Sequence, residues 1–429
     1  MDAPFSIPGQ GHGQCLLSSR QVYWVSKRKK MIHARTAKAT EILRCLAANY
    51  RMIKAKPSLN LFMLQYMRKF RVLNIGGNLI IHSHLPPLNS EAYTRFLNEH
   101  LLGKTNGPSH AQIGLTNACP QNCSYCYNKH RRGRTMDTAT IIRLIRDLKK
   151  MGVIWLGFTG GEPLLNQDIV KITESAGNDV ALKLFTTGCT LDKQLASDLQ
   201  NAGLRYVSVS LDHWQEKLHD EARRYPGAFR TALKAIDIFK GTGDIHIGVS
   251  AVLSREMIRN GQVEEFLQFL IGLEIHEAWL SEAKPSIEAY WNDDLVITEG
   301  ERIELCRLQD RYNKEGKITV NYLGHFEGGE HFGCNAGHKM IYVDAFGEVS
   351  PCVFTPMTFG NVMEKSIEIL FSQIRAIFPS EECCFINKNY KLFQKYIREN
   401  SIVCPEDSIT LMQEVKFGPL PTFFRLYYK

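Results

Sequence analysis

Long apolar runs are missing from this chain of 429 residues: none reaches the ~18 apolar residues that a membrane-spanning helix needs. The first thirty residues also lack the apolar core of a secretion signal. These absences exclude a helical membrane protein and favour a cytoplasmic one. With 44% hydrophobic and 22% charged residues, the composition also excludes a largely disordered or fibrous chain.

Acidic residues are nearly absent from residues 1–72, which hold fourteen Lys or Arg against only Asp2 and Glu41. The formal charge of the whole chain is +8, so the basic charge belongs to an N-terminal arm. Such an arm suits an anionic membrane surface, nucleic acid or an acidic partner, or it is simply a solvated basic face. Nucleic acid is disfavoured because aromatic residues do not interleave with the basic ones, as base stacking requires.

Residues 1–30 look disordered, which makes Met31 an alternative start of the chain. Changes in composition and in hydrophobic pattern along the chain predict four segments. The segments are a basic α+β N-terminal extension (1–108), an array of strands and helices (109–317), a small cysteine-rich α+β domain (318–405) and a C-terminal tail (406–429).

The second segment alternates apolar runs with amphipathic helices in six units of about 30 residues. This rhythm predicts a parallel α/β sheet. An eight-fold barrel needs ~250 residues, so a partial (β/α)6 barrel fits better, with a doubly wound sheet as the alternative. In either fold, ligands bind at the carboxyl ends of the strands.

A first group of cysteines follows the first strand of this array. Cys119, Cys123 and Cys126 form a C-x3-C-x2-C pattern. Three thiolates on one loop suit three irons of a cubane iron–sulfur cluster. Zinc is the alternative, although a zinc site normally has four protein ligands, or three with an open position.

This cysteine loop resembles that of the radical S-adenosylmethionine (radical SAM) superfamily. The resemblance implies that Cys119, Cys123 and Cys126 hold a [4Fe–4S] cluster whose fourth iron is chelated by SAM. It also implies reductive cleavage of SAM to a 5′-deoxyadenosyl radical, with Tyr125 beside the adenine. A reduced flavodoxin- or ferredoxin-type protein is the implied electron donor, and such a cluster needs a reducing cytoplasm.

The second strand ends in a stretch that matches the GGEP motif of the same superfamily. Gly160 and Gly161 allow the backbone to approach a ligand closely, and Pro163 stiffens the turn. The resemblance implies that this backbone and Glu162 bind the ammonium group of SAM.

Further residues that match positions of the superfamily follow the fourth strand. Ser210 and Asp212 match the Ser-x-Asp that relatives carry on the ribose side of SAM, although a helix cap is an alternative role for Asp212. Arg224, or its neighbour Arg223, resembles the arginine that meets the SAM carboxylate. A solvated ion pair is the other interpretation of these arginines.

A second cysteine group begins with Cys334 and Cys352, spaced C-x12-G-x4-C around Gly347. It resembles the SPASM or twitch auxiliary-cluster domain of radical SAM enzymes. After Cys352, however, only Cys383, Cys384 and Cys404 follow, so the seven ligands of a two-cluster form are not available. One auxiliary [4Fe–4S] cluster is therefore expected, with a zinc site or no metal as alternatives. Its ligands would be Cys334, Cys352, one of Cys383 and Cys384, and Cys404.

The sequence thus predicts a radical SAM enzyme of oxidoreductase or maturase type that modifies a peptide or protein side chain. The alternative is radical modification of a lipid or other small molecule at the membrane surface, with the basic arm as a peripheral contact. A metal-sensing or scaffold protein with inert cysteines is the non-enzymatic alternative. The bond formed and the oligomeric state do not follow from the sequence.

Overall fold

A computed structural model describes residues 34–397 and 402–428. The predicted disorder of residues 1–30 and the alternative start at Met31 lie outside the described residues. The described residues belong to a single compact unit. Among the described residues, no helix is both long and apolar enough to cross a bilayer.

The N-terminal extension contains both helices and strands. Strands β2 (Leu73–Ile75) and β3 (Asn78–Ile80) form a hairpin that turns at Gly76 and Gly77, whose φ angles of +54° and +86° suit glycine. Strand β1 (Ala34–Thr36) pairs with β2 to complete a three-stranded antiparallel sheet. The elements are β1 (Ala34–Thr36), α1 (Ala39–Ala48), a 3-10 turn (Tyr50–Lys54), α2 (Pro57–Met67), β2 (Leu73–Ile75), β3 (Asn78–Ile80), α3 (Glu91–Arg95) and a π-helical turn (Phe96–Leu102).

Six parallel strands form the centre of the fold in simple chain order, which confirms the predicted partial barrel. Their side chains are buried on both faces, as parallel sheets covered by helices require. The strands are β4 (His110–Thr116), β5 (Trp155–Gly160), β6 (Ala181–Thr186), β7 (Tyr206–Ser210), β8 (His246–Leu253) and β9 (Glu277–Glu282).

Amphipathic helices connect these strands. Side chains cap several of these helices at their first turn: those of Asp137, Asp192 and Thr298 each accept a hydrogen bond from the backbone three residues later. The helices are α4 (Thr138–Lys150), α5 (Ile169–Ala176), α6 (Lys193–Asn201), α7 (Glu216–Arg223), α8 (Ala228–Lys240), α9 (Arg255–Arg259), α10 (Gln262–Gly272) and α11 (Glu299–Glu315), with 3-10 turns at Pro163–Leu165 and Glu288–Tyr290.

The central sheet continues beyond the six predicted strands. β10 (Thr319–Tyr322) pairs in parallel with β9, and after α12 (Leu323–Phe326) the chain returns to the far edge. There β11 (Met340–Val343) pairs in parallel with β4, and β12 (Val349–Ser350) pairs with β11 in an antiparallel hairpin. The sheet therefore runs on across residue 318, where the sequence analysis places a domain boundary.

The C-terminal part is helical after this hairpin. It comprises α13 (Ile367–Ile377), α14 (Phe385–Phe393), α15 (Pro405–Glu414) and α16 (Thr422–Tyr428). The aromatic end of the chain, predicted as a tail, packs in α16 against α2 of the N-terminal extension. The rings of Phe62 and Phe423, for example, lie 5.9 Å apart.

The segment after β3 packs against the amino-terminal side of the central sheet. Ser83 donates hydrogen bonds from its backbone N and its hydroxyl to the buried carboxylate of Glu277, at 2.8 and 2.9 Å. The ammonium of Lys183 donates to the same hydroxyl at 2.6 Å, and Trp155 Nε1 donates to Ser83 O at 2.7 Å. The described part of the N-terminal extension, from residue 34 onwards, is therefore packed against the barrel.

We expect Ser83→Ala to lower the free energy of unfolding by about 1–3 kcal/mol, because Glu277 and Lys183 each lose a buried partner. The measurement is urea denaturation of the metal-free, reduced protein. Ser175→Ala is the matched control, since its hydroxyl bonds only within α5, to Ile172 O. An equal midpoint for both variants would show that the contact contributes nothing to stability.

Candidate radical site

A cavity of about 270 Å³ lies at the carboxyl ends of the central strands. The loops that follow parallel strands converge at this edge, which is where such folds bind ligands. The lining comes from the loop after β4, the ends of β5 to β9 and the last turn of α7. Val353 and Phe354 of the C-terminal part complete the wall, so barrel and C-terminal part enclose the cavity together.

The loop after β4 places all three predicted cluster cysteines in this cavity: Cys119, Cys123 and Cys126. In the described part of the chain, no three His, Cys, Asp or Glu side chains converge closely enough to hold a single metal ion. The three thiols line one cavity, where each can bind a separate iron of one cubane.

Burial raises the pKa of the three thiols, to about 12 for Cys119. Thiols in such a place stay protonated at neutral pH until a cation offsets the loss of hydration. Iron supplies that charge, because metal binding releases the thiol proton. The donor set therefore suits an iron–sulfur cluster better than catalysis by a free thiolate.

The cysteine loop is held from two directions. Asn128 Nδ2 donates to Asn117 Oδ1 at 2.5 Å, which ties the loop to its own start. Arg131 is fully buried, with its Nη1 3.1 Å from Asp344 Oδ2 and its Nη2 donating to Ser350 Oγ at 3.0 Å. The β11–β12 hairpin thus fixes the end of the loop.

Gly160 and Gly161 line the cavity, but their glycine character serves packing against the cysteine loop. A Cβ on Gly161 would lie 2.2 Å from Ala118 O, and one on Gly160 would lie 2.3 Å from Thr116 O. Gly161 N donates to Thr116 O at 2.6 Å, so the two backbones are in direct contact. The approach of a ligand to these two glycines stays a prediction.

Glu162 is fully buried, and its carboxylate is turned away from the cavity towards the end of β6. It accepts hydrogen bonds from Leu164 N, from Thr186 Oγ1, and from both the backbone and the hydroxyl of Thr187, at 2.5 to 3.0 Å. Burial raises the pKa of Glu162 although these donors oppose it. The structure therefore gives this side chain the task of joining the ends of β5 and β6, while its role towards SAM stays a prediction. Pro163 is buried in the following 3-10 turn.

Asp212 forms a buried ion pair with Arg223, whose Nε and Nη2 lie 2.7 and 3.0 Å from the two carboxylate oxygens. The hydroxyl of Tyr125 donates to the same carboxylate, and Val252 N donates to it at 2.9 Å. Burial raises the pKa of Asp212, but Arg223 and the other donors hold it below its usual value. Asp212 therefore positions Tyr125 and Arg223, whereas Ser210 lines the cavity itself.

The two arginines named from the sequence lie in different places. Arg223 lines the cavity, and its Nη1 is 3.9 Å from Cys123 Sγ. Arg224 ends α7 in a left-handed conformation and is exposed outside the cavity. The geometry thus favours Arg223 over Arg224 as the arginine that faces a bound carboxylate, because only Arg223 lines the cavity.

Three of the five cysteines predicted for the second cluster line another cavity: Cys334, Cys352 and Cys384. Cys383 and Cys404 are exposed and do not line it. The structure therefore selects Cys384 from the adjacent pair, and it does not bring Cys404 to the others.

Lys284 and Glu327 lie between the two cavities and were not predicted from the sequence. Lys284 Nζ is 2.7 Å from Glu282 Oε1, 2.9 Å from Glu327 Oε2 and 3.4 Å from Cys384 Sγ. Lys284 follows Glu282 by two residues, so strand periodicity could have placed both at one site. Glu327 belongs to no motif, and only the fold reveals it.

Comparisons with known proteins agree with this geometry. Residues 113–265 match the description "Radical SAM superfamily". Residues 113–265 therefore form a radical SAM domain. Residues 334–393 of this radical SAM protein match SPASM, an iron-sulfur cluster-binding domain. The two domains imply a [4Fe–4S] cluster with SAM at the first site and auxiliary iron–sulfur binding at the second.

Relatives of this radical SAM protein differ in what they make. It is 27% identical to the PqqA peptide cyclase of Bradyrhizobium diazoefficiens over 221 residues, 49% of this chain and 57% of that one. It is 25% identical to the AdoMet-dependent heme synthase of Methanosarcina barkeri over 292 residues, 62% of this chain and 82% of that one. The match thus spans little more than half the length of the peptide cyclase.

The fold is similar to that of Streptococcus suis SuiB, solved in complex with the precursor peptide SuiA. The TM-score is 0.54 at 16% sequence identity, over 73% of this chain and 78% of that one. At this identity the likeness concerns the fold alone, and it supports the partial barrel with its C-terminal domain.

We expect Gly161→Ala to displace the cysteine loop, because the added Cβ meets a backbone oxygen that cannot move independently. Overpacking of this kind costs about 1–3 kcal/mol. Iron bound after anaerobic reconstitution should fall with the thermal midpoint. The control is Gly272→Ala, where no atom lies within 4 Å of the added Cβ. Full iron binding by Gly161→Ala would refute the role assigned to the contact.

Proposed function

We propose that this protein is a radical SAM enzyme that modifies a side chain of a peptide or protein. The observation that carries the proposal is the single cavity in which the three loop cysteines, the Gly160–Gly161 backbone and Arg223 meet. When bound, the cluster and SAM would supply a 5′-deoxyadenosyl radical that abstracts hydrogen from the substrate.

The residues of the chain would bind and orient the reactants. Cys119, Cys123 and Cys126 would hold the cluster, and the Asp212–Arg223 pair keeps a guanidinium at the cavity wall beside Cys123. An arginine held in this way suits a bound carboxylate, because its planar fork is already oriented.

Glu282 and Lys284 form the polar wall at the end of β9. Burial raises the pKa of Glu282, yet Lys284 and the side chain of Asn387 hold it below its usual value, so the carboxylate is ionised at neutral pH. Tyr322 donates to its other oxygen at 3.0 Å. This wall offers fixed charges of both signs to a polar substrate such as a peptide, while Phe185 and Trp279 supply apolar contact.

Two comparisons support a peptide substrate. One relative is a peptide cyclase, and the SuiB structure of similar fold contains a precursor peptide. The C-terminal part contributes Val353 and Phe354 to the cavity, so a substrate there would contact both domains.

The test measures 5′-deoxyadenosine released from SAM by the reconstituted, reduced protein. A size-fractionated extract of the organism that produces this protein should increase the release of 5′-deoxyadenosine several-fold. Treating the extract with protease, then inactivating the protease, should abolish the stimulation. The Cys119/Cys123/Cys126→Ala variant is the control and should release none. Stimulation that survives protease would refute a peptide substrate, and no release by the unmodified protein would refute radical chemistry itself.

A second candidate substrate is a lipid or other small molecule at a membrane surface. One relative is a heme synthase, which shares more of its length with this chain than the peptide cyclase does. The specific observation is an apolar surface on α1, the following 3-10 turn and α2. It comprises Leu43, Leu46, Tyr50, Ile53, Leu61 and Leu64, each at least 53% exposed.

Basic residues accompany this N-terminal apolar surface. Arg44, Arg51, Lys54 and Lys56 are exposed in the same stretch. Apolar side chains that enter the acyl boundary beside cations that attract anionic headgroups are the usual basis of peripheral membrane binding. The surface therefore suits an anionic bilayer.

Under this second candidate, the double variant Leu46→Gln/Ile53→Gln should weaken binding to phosphatidylglycerol vesicles more than tenfold, because two apolar side chains no longer enter the bilayer. Cosedimentation is the measurement. The matched control is Ile369→Gln/Ile409→Gln, whose side chains are 53% and 52% exposed on other helices. Equal binding of both double variants would exclude the N-terminal apolar surface as a membrane contact.

A further inference from the structure

The geometry points to a specific ligand set for the cluster of the C-terminal domain: Cys334, Cys352, Cys384 and the carboxylate of Glu327. This set replaces Cys404, predicted from the sequence, with an acidic residue outside the matched SPASM segment. The inference rests on the cluster-binding assignment of that domain and is independent of the substrate proposed above.

Backbone contacts bring the three cysteines to one cavity. Cys334 N donates to Glu381 O at 2.7 Å, and Ser380 Oγ donates to Cys334 O at 3.1 Å. These bonds hold the segment before Cys384 against Cys334. Cys352 follows β12 directly, and Pro351 O accepts from Gly337 N at 2.9 Å. Three separate segments thus present one thiol each.

Glu327 comes from a fourth segment, the end of α12, and lines the same cavity. Its side chain is only 13% exposed, and the ammonium of Lys284 donates both to its carboxylate, at 2.9 Å, and to Cys384 Sγ, at 3.4 Å. Among the described residues that line this cavity, Glu327 is the only one with a carboxylate. Carboxylate oxygen is an accepted donor to iron, so Glu327 can complete the set.

Lys284 accounts for the other oxygen of Glu327. Its ammonium donates to Glu327 Oε2 at 2.9 Å and to Cys384 Sγ at 3.4 Å. A cluster with three thiolates and one carboxylate carries excess negative charge, which is costly in a buried place unless it is paired. Lys284 provides that pairing and orients the carboxylate, so Oε1 remains for iron.

The two histidines that flank Cys334 in the sequence, His331 and His338, are engaged elsewhere. His331 Nδ1 lies 2.9 Å from His325 O, and His338 Nε2 lies 2.8 Å from the hydroxyl of Tyr428. Neither histidine lines the cavity of the three cysteines. Cys404 is exposed at the start of α15.

The test uses the full chain with Cys119, Cys123 and Cys126 changed to Ala, so that only the C-terminal cluster binds iron. This parent should hold one cubane per chain after anaerobic reconstitution. Glu327→Gln should lower the ratio of iron to sulfide from about one to about three quarters, since a cubane without its fourth ligand loses one iron. The product should show the electron paramagnetic resonance signal of an oxidised [3Fe–4S] cluster.

Matched variants make the result specific. Glu330→Gln removes a half-exposed carboxylate three residues away and should leave iron, sulfide and spectrum unchanged. Glu327→Cys should restore the cubane, because it supplies a thiolate at the same position. Circular dichroism of each variant verifies that the fold is retained.

Each outcome of these measurements either supports the proposed ligand set or overturns it. Loss of one iron or of the whole cluster in Glu327→Gln, reversed by Glu327→Cys, supports the ligand set. A cubane with an unchanged Mössbauer spectrum in Glu327→Gln overturns it, as does a loss that cysteine does not reverse. Cluster loss in Cys404→Ala or Cys383→Ala, with the fold retained, also overturns it. None of these measurements uses SAM or a substrate, so they stand apart from the test of function.

Discussion

A lysine buried between two carboxylates joins the two cavities of this protein. Lys284 pairs with Glu282 at the wall of the first cavity and with Glu327 at the second. A buried ammonium is tolerated only while its partners stay in place, since an unpaired ion in the interior loses several kcal/mol of hydration. Because Glu282 ends β9 and Glu327 ends α12, this requirement fixes the C-terminal part against the mouth of the barrel. The distance between the proposed cluster sites is therefore set by charge pairing.

A second buried pair acts on the opposite edge of the sheet. Arg131 at the end of the cysteine loop pairs with Asp344, which follows β11. The cysteine loop is thus held between the end of β5 and the β11–β12 hairpin. At the end of β5, the absence of a side chain on Gly161 allows the backbone of the loop to come into contact. A loop that must offer three thiols to one cluster has to be ordered before the cluster binds, and these contacts supply that order. The C-terminal part therefore serves the first site as well as its own.

Local signals in the sequence were sufficient for the barrel. Alternating strands and amphipathic helices are set by side-chain periodicity, and caps such as Asp137 and Thr298 mark helix starts through short-range hydrogen bonds. β10 was not predicted, because a hydrophobic pattern over only four residues is too weak to distinguish a strand from the segment that follows. The packing of the described part of the N-terminal extension against the barrel was not predicted either. The contact between Ser83 and Glu277 joins residues that are 194 positions apart in the sequence.

The sequence by itself determined the chemistry of the chain: the cysteine spacings, the Gly-Gly turn and the βα rhythm are local patterns that identify an iron–sulfur protein of the radical SAM superfamily. Only the tertiary structure decided which side chains face each cavity. It chose Arg223 over Arg224 and Cys384 over Cys383, and it brought Glu327 to cysteines that no motif connects to it. The physical reason is that neighbours in sequence point in different directions, and burial and ion pairing between distant segments determine which one reaches the site.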